Sequence, residues 1–317
     1  MVNIMENKKI YKTIIIGGGP AGYSAALYCA RAGLEPLVVE KLAAGGQMNL
    51  TSSIDNYPGI PEVDGFTLAD AMKKQAESFG STGISNEVKK LELKGDIKKV
   101  HLDDGSVLET ETVILAMGAN ARKIGLPEEK DPGSNGIHYC AACDGMWFKG
   151  KDVALAGGGN TALEDAVLLS NICNKVYLIH RRDEYRADYI YVNEVEERDN
   201  IIPVLNSNVT GVTVNGRTLE KVTVKNKVNG ENKELPVSAL FVSIGRVPAS
   251  EIVEDGIEKD GSGYIVANES TETSIPGVFA AGDIRTTNMR QVVTAASDGA
   301  RSSAAVMKYM AEKKATK

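Results

Sequence analysis

Two stretches of this chain repeat one pattern, and that pattern leaves little choice of fold. Tyr11 to Lys41 reads YKTIIIGGGPAGYSAALYCARAGLEPLVVEK, and Lys151 to Asp183 reads KDVALAGGGNTALEDAVLLSNICNKVYLIHRRD. Each is a short β-branched or apolar run, three glycines, an amphipathic stretch and a second apolar run. Such runs favour strands, and apolar residues at helical spacing between them favour a helix with one buried side. Ala21, Ala25, Leu27 and Ala30 share one sector of the first helix; Ala162, Ala166, Leu169 and Cys173 recur at helical spacing in the second. Gly33 is placed to stop the first helix. Gly17 to Glu40 and Gly157 to His180 are each 23 residues apart. Both segments therefore read as βαβ units of nucleotide-binding length.

The rest of the chain fits around these units. VKKLELKG, IKKVHLDDG and VLETETVILAMGA follow the first; NVTGVTVNG, LEKVTVKNKVNGE and ALFVSIGRVP follow the second. Both series read as strands, with Asp-Gly or Asn-Gly hairpin turns at 104–105, 215–216 and 229–230. After Gly245, SIPGVFAAGDI reads as a strand and RQVVTAASDGARSSAAVMKYMA as a helix, without a glycine fingerprint of their own. They are expected to complete the first domain. The expected fold is α/β, with two Rossmann-like, three-layer nucleotide-binding domains. One is discontinuous (1–119 and 246–317), and the other (120–245) is inserted into it.

The chemistry of each turn follows from its residues. In Gly17-x-Gly19-x-x-Gly22, the first glycine permits the tight turn and the second admits a pyrophosphate to the backbone. The third lets helix and strand close up. Glu40 ends the next strand, where a carboxylate accepts from ribose hydroxyls. The second turn is Gly157-x-Gly159-x-x-Ala162, and its ribose position is basic: His180, Arg181 and Arg182, with Arg186 one turn on. Arginine clamps a 2′-phosphate that an acid would repel, so this site is expected to take NADPH. A flavin at the first site is the economical counterpart of a hydride donor at the second.

Net charge is −6 at a pI of about 5.4, which argues against nucleic acid as a partner. No segment has the ~18 apolar residues of a membrane span, and MVNIMENKKI has no apolar run of signal-peptide length. A cytoplasmic protein is expected. Four cysteines are too few for a disulfide scaffold. Cys29 and Cys173 sit in apolar helical patterns as core thiols. Cys140 and Cys143 form a CxxC, which in a reducing compartment points to metal or to redox chemistry. Zinc needs four ligands, and only His138 stands near enough in sequence to add a third. A structural zinc and an inert pair stay as alternatives. A redox pair would have its thiolate favoured at a helix N-terminus, with Asp144 beside it to move protons.

With these residues in view, the chain resembles the low-molecular-weight, bacterial-type thioredoxin reductases from end to end. The resemblance is carried by GGGPAGYSAALYCARAGL, GGQMNLTSSIDNYPG, MGANARKIGLP, YCAACDG, GGGNTALEDA, HRRDEYRA, PGVFAAGDIR and RQVVTAASDGA. It implies FAD in the first domain, at Gly17, Gly19, Pro20, Ala21, Glu40, Gly46, Gln47, Asn56, Gly118, Asp283, Arg290, Gln291 and Val292. It implies NADPH in the inserted domain, at Gly157, Gly159, Asn160, Thr161, His180, Arg181, Arg182 and Arg186. Cys143 would face the flavin, Cys140 would attack the partner's disulfide, and Asp144 would be the acid–base residue. It further implies a homodimer that alternates two domain orientations and reduces thioredoxin or a thioredoxin-like protein. Two features depart from the family pattern. Glu128 stands where glycine is usual, and the aromatic pair that grips the partner is replaced by Met146, Trp147 and Phe148. Two other activities are carried alongside: reduction of a peroxiredoxin-linked or glutaredoxin-like carrier, and an oxygen-using dithiol oxidase. The 2′-phosphate clamp counts against the oxidase.

Overall fold

The structure is a computed structural model that describes residues 9–50, 53–253 and 256–315. The chain forms two compact units, Met1–Asn120 with Val247–Lys317, and Ala121–Arg246.

In the first unit, β1 (Ile10–Ile16), α1 (Pro20–Arg31) and β2 (Leu37–Glu40) form a βαβ turn with β1 and β2 parallel. Then come α2 (Gly65–Ser78), β3 (Thr82–Ser85), β4 (Val88–Glu92), β5 (Lys98–Leu102) and β6 (Val107–Leu115). β7 (Ala119–Ala121) carries the chain onward. In the second unit, β8 (Ile137–His138) and a single helical turn, α3 (Ala141–Asp144), come first. β9 (Asp152–Gly157), α4 (Asn160–Ser170) and β10 (Lys175–Ile179) form the second βαβ turn. α5 (Tyr189–Glu196) and β11 (Ile201–Val204) follow. The strands β12 (Ser207–Asn215), β13 (Thr218–Asn226) and β14 (Asn232–Pro236) make an antiparallel meander, and β15 (Leu240–Ser243) returns to the sheet. β16 (Arg246–Pro248) leads back to the first unit, which ends with β17 (Val278–Ala280) and α6 (Val292–Ala315).

The two sheets share one order. The first runs β3-β2-β1-β6-β5-β4, with β17 also on β6; the second runs β11-β10-β9-β15-β8. In the first sheet β5 pairs with Val107–Thr110 of the long strand β6, and β17 pairs with Val113–Leu115. The fifth parallel strand is thus β17 in one unit and β8 in the other. Strand periodicity builds a core on both faces. Ile15 packs with Ala21, Ala25, Ala26, Val306 and Met310 of the helices. Ile14 and Ile16 pack on the opposite face with Val253, Ile265 and Ile275. In the second unit Val153 and Leu155 meet Leu163, Ala166 and Leu169 of α4, while Ala154 and Ala156 meet Leu219, Val222 and Val224 of the meander. Helix, sheet and meander make the expected three layers.

α1 ends as anticipated: Ala32 caps it and Gly33 follows at φ +74°. Cys29 is buried in α1, but Cys173 lies three residues beyond the end of α4, buried in the turn. Burial pushes both thiols up, to about 11 in each case, so neither is a nucleophile at neutral pH.

Glu129 organises the approach to the cysteine pair. Its buried carboxylate accepts N–H bonds from Ile124 (3.0 Å), Gly125 (2.7 Å) and Leu126 (2.8 Å), and the Tyr139 hydroxyl at 2.6 Å. Burial acts to raise its pKa, but the Tyr139 hydroxyl and the three N–H groups together hold it below the usual range. Glu128 beside it has no positive φ, so its backbone does not require glycine. Glu129→Ala leaves four donors without their acceptor and is expected to cost about 3 kcal/mol or more, read by denaturant unfolding at pH 7. The ionised carboxylate's contribution is present above its unfolded value of about 4.3 and is lost as pH falls through the lower folded value.

Candidate active site

The turn after β1 is built on close backbone approach. A Cβ on Gly22 would lie 1.9 Å from the Gly17 carbonyl oxygen, and Gly17 itself sits at φ +103° against the Ala116 carbonyl. Gly19, by contrast, has only the Gly45 oxygen, at 4.0 Å, near the place its Cβ would take, and Gly46 lies against its Cα. That is an open cradle. Gly19 caps α1 without a side-chain bond, Pro20 follows, and the first turn has no acid. The N–H groups of that turn meet no capping side chain, an arrangement that suits an anion such as a pyrophosphate. The Glu40 carboxylate closes the turn, accepting from the N–H of Gly18 at 2.6 Å and of Leu42 at 2.9 Å.

Tertiary structure gathers most of the remaining first-site residues in this unit. Asn56 Nδ2 donates to Gln291 Oε1 at 3.3 Å, and Gln47 Nε2 donates to Asn120 Oδ1 at 3.0 Å. The Arg290 guanidinium lies 4.2 Å from the centre of the Tyr264 ring, and its buried Nε has no partner among the described residues. Asp283 sits on the turn Gly282–Ile284, and Gly282 packs against Ala21 of α1. Val292 opens α6. Gly118 follows β6 at φ +69°, with open space around it. Two residues that the sequence did not single out hold the Asp283 turn. Buried Asp298 accepts from Gly282 N–H at 3.1 Å and from Arg285 Nε at 3.0 Å through Oδ2. The pattern of an arginine after Gly-Asp and an acid thirteen residues on is visible in sequence, but nothing local marks it as a pair.

The second turn repeats the construction. A Cβ on Gly157 would meet Ala162 Cβ at 2.4 Å and the Ser243 oxygen at 2.5 Å, whereas one on Gly159 would meet nothing within 4 Å. Gly159 caps α4 without a side-chain bond, and its first turn carries no acid. The basic loop is tied to this turn. Arg186 N–H donates to the Gly158 carbonyl at 2.7 Å, and Asn160 and Asp188 exchange two bonds at 2.7 and 2.8 Å. Asn160 therefore spends its side chain on the loop. Arg181, Arg182 and Arg186 are exposed, and Thr161 is exposed at the start of α4. His180 is buried against the turn, with Nδ1 3.1 Å from the Gly157 oxygen. Burial leads the causes that lower its pKa, and the charges of Arg181 and Arg182 add to the effect.

The cysteine pair follows β8. Cys140 is the N-cap of α3, and Cys140 and Cys143 are joined as a disulfide across a Cα–Cα distance of 5.2 Å. The helix is one turn long and passes into a 3-10 turn over Gly145–Phe148. Asp144 Oδ2 lies 2.8 Å from His138 Nδ1, and Asp144 Oδ1 is buried without a partner among the described residues. The sequence marked His138 only as a metal candidate; the structure gives it to Asp144. Met146 and Trp147 are exposed, while Phe148 is half-buried, packed with the helix-side core. Of the three expected docking residues, Phe148 is the packing one.

Two capless glycine turns and a disulfide one helical turn long define a class of enzyme. A family model of the pyridine nucleotide-disulphide oxidoreductases matches residues 11–299. The chain belongs to that family. Among curated relatives, a thioredoxin reductase of Treponema pallidum is 41% identical over 303 residues, covering 95% of this chain and 97% of the relative. One of Bacillus subtilis is 38% identical over 309 residues, covering 97% of each. The crystal structure of thioredoxin reductase from Streptococcus pyogenes matches with a TM-score of 0.89 at 38% identity, covering 96% of this chain and 99% of that one. Membership of this family implies a flavin and NADPH as the redox groups.

Asp165, on α4, makes a test of the second turn. Burial pushes its pKa up to about 6, against the opposing hydrogen bond of Ser243, with Glu164 adding to the rise and Arg246 opposing it. Its folded value lies above its unfolded value of about 3.9, so its stabilising protonated form is lost as pH rises from about 4 to about 6. Asp165→Asn is expected to raise stability at pH 7 by on the order of 1–3 kcal/mol, with the gain vanishing below about pH 4. Thermal unfolding across that range checks it.

Proposed function

We propose that this chain is a thioredoxin reductase, taking electrons from NADPH through FAD and the Cys140–Cys143 disulfide to the disulfide of thioredoxin or a thioredoxin-like protein. The observation that carries this reading is the disulfide itself, held at the carboxyl end of a parallel strand in the unit that also carries the second glycine turn. Full-length relatives named thioredoxin reductase support it.

When bound, the two cofactors supply the electron pair that opens the disulfide. The chain's own residues bind, orient and move protons. Gly17, Gly19, Pro20, Ala21, Glu40, Gly46, Gln47, Asn56, Gly118, Asp283, Arg290, Gln291 and Val292 would hold FAD. Gly157, Gly159, Asn160, Thr161 and His180 would frame the NADPH site. Arg181, Arg182 and Arg186 would supply the positive charge that a 2′-phosphate selects. Cys143 receives the electrons, and Cys140 exchanges with the partner through a mixed disulfide. Asp144 takes and returns protons as the pair opens and closes. Exposed Met146 and Trp147 form the partner-docking patch, since tryptophan and methionine are enriched at such surfaces. The enzyme works as a homodimer in the cytoplasm.

Cys140→Ser and Cys143→Ser should each abolish NADPH-dependent reduction of thioredoxin while the protein stays yellow; full turnover by either would refute the path. Arg181→Ala with Arg186→Ala should raise KM for NADPH by about tenfold or more and leave KM for NADH nearly unchanged. Steady-state kinetics with both nucleotides reads the difference, and an equal loss for both would mean that the arginines do not select the phosphate.

A further inference from the structure

His138 is a buried polar residue that the proposed electron path does not use. Its ring sits in an aromatic cage, with ring centres 5.0 Å from Phe148, 5.3 Å from Phe241 and 6.0 Å from Trp147. It is 7% exposed, and its Nδ1 faces Asp144 Oδ2 at 2.8 Å. Asp144 follows Cys143 directly, its N–H donates to the Cys140 carbonyl at 3.1 Å, and its own side chain is 13% exposed. One carboxylate oxygen is therefore held by the imidazole. The other, Oδ1, is buried and has no partner among the described residues.

A buried carboxylate oxygen without a protein donor is costly, and in native structures it marks an ordered water, an ion or a catalytic role. The nearest group in sequence with a proton to give is the Cys143 thiol of the reduced pair. A base beside a thiol, itself oriented by a third group, is the general arrangement of an activated nucleophile. We infer that His138 is a positioning residue that orients Asp144 through Oδ2, so that Oδ1 takes the Cys143 proton when the dithiol closes on a partner disulfide. This rests on the dithiol reading above.

The step balances as follows. The Cys140 thiolate attacks one sulfur of the partner disulfide, forming the mixed disulfide and releasing the first partner thiolate. Cys143 gives its proton to Asp144 Oδ1 and attacks the Cys140 sulfur. The mixed disulfide breaks, the Cys140–Cys143 bond forms, and the second partner thiolate leaves. The enzyme dithiol is oxidised by two electrons and the partner disulfide is reduced by two. Protonated Asp144 returns its proton to the departing sulfur or to water. When Asp144 carries the proton on Oδ1, Oδ2 still accepts from His138 Nδ1–H, so the contact is kept through the step.

The test uses the flavin-containing protein reduced with dithiothreitol, freed of reductant, and mixed under anaerobic conditions with the aryl disulfide dithiobis(nitrobenzoate). Release of the second coloured thiolate reports ring closure without NADPH. His138→Phe fits an aromatic cage but has no donor, and should slow closure about tenfold or more. His138→Asn keeps an N–H close to the Nδ1 position and should stay within about threefold of wild type. Asp144→Asn should be slow, and adding His138→Phe to it should slow closure no further. The inference is overturned if His138→Phe closes at the wild-type rate. It also fails if His138→Asn is as slow as His138→Phe, or if His138→Phe costs the same with Asp144 already removed. His138→Leu replaces the Phe variant if the latter loses its flavin absorbance. Cys140→Ser separates this from the parent reading: release of both thiolates at the wild-type rate by that variant would defeat the dithiol itself.

Discussion

The rest of the structure depends on how closely the backbone approaches itself at the two glycine turns. At Gly22 and Gly157 a single added methyl would lie within about 2 to 2.5 Å of a carbonyl oxygen or another Cβ. Glycine removes that conflict, and the helix can then start directly off the end of a parallel strand. Where the backbone is not packed, at Gly19 and Gly159, the absent side chain leaves open space beside a capless helix N-terminus. Packing and binding thus divide the glycines of each turn. The same economy recurs in α6, where a Cβ on Gly299 would lie 2.2 Å from the Ala21 carbonyl. That close crossing brings the last helix onto α1, and with it the Asp283 turn and Gln291.

The cysteine pair is fixed by a different device. His138 and Tyr139 are consecutive, so their side chains leave the chain on opposite sides. Tyr139 packs on the meander side and grips Glu129; His138 packs among Phe148 and Phe241 on the helix side and grips Asp144. Two carboxylates held from opposite faces set the entry to Cys140. Strand β8 contributes only two residues to the sheet edge, yet it is the element that places this arrangement, through the pairing of Phe241 with His138.

Much of this was legible in the sequence because it is local. A glycine turn, the strand before it and the helix after it are contiguous, and equal 23-residue spacings exposed both units. The hairpin glycines at 105, 216 and 230 all adopt positive φ where the Asp-Gly and Asn-Gly pairs predicted turns. Cys140 and Cys143 lie one helical turn apart, so their pairing needed no long-range information. The helix carrying them was harder to read: only four residues are helical before the chain tightens into a 3-10 turn.

The sequence by itself determined the two nucleotide turns, the basic loop after the second and the dithiol, because each is specified by residues within one supersecondary unit. Only the tertiary structure decided how those parts are served. Asn56 meets Gln291 across 235 residues, Asp298 reaches back to the Gly282 turn, and β15 carries Phe241 to the ring of His138. Spacing along the chain says nothing about such pairs. They exist because strand order and helix packing bring distant segments together, and because a buried carboxylate must find its donors wherever the fold supplies them.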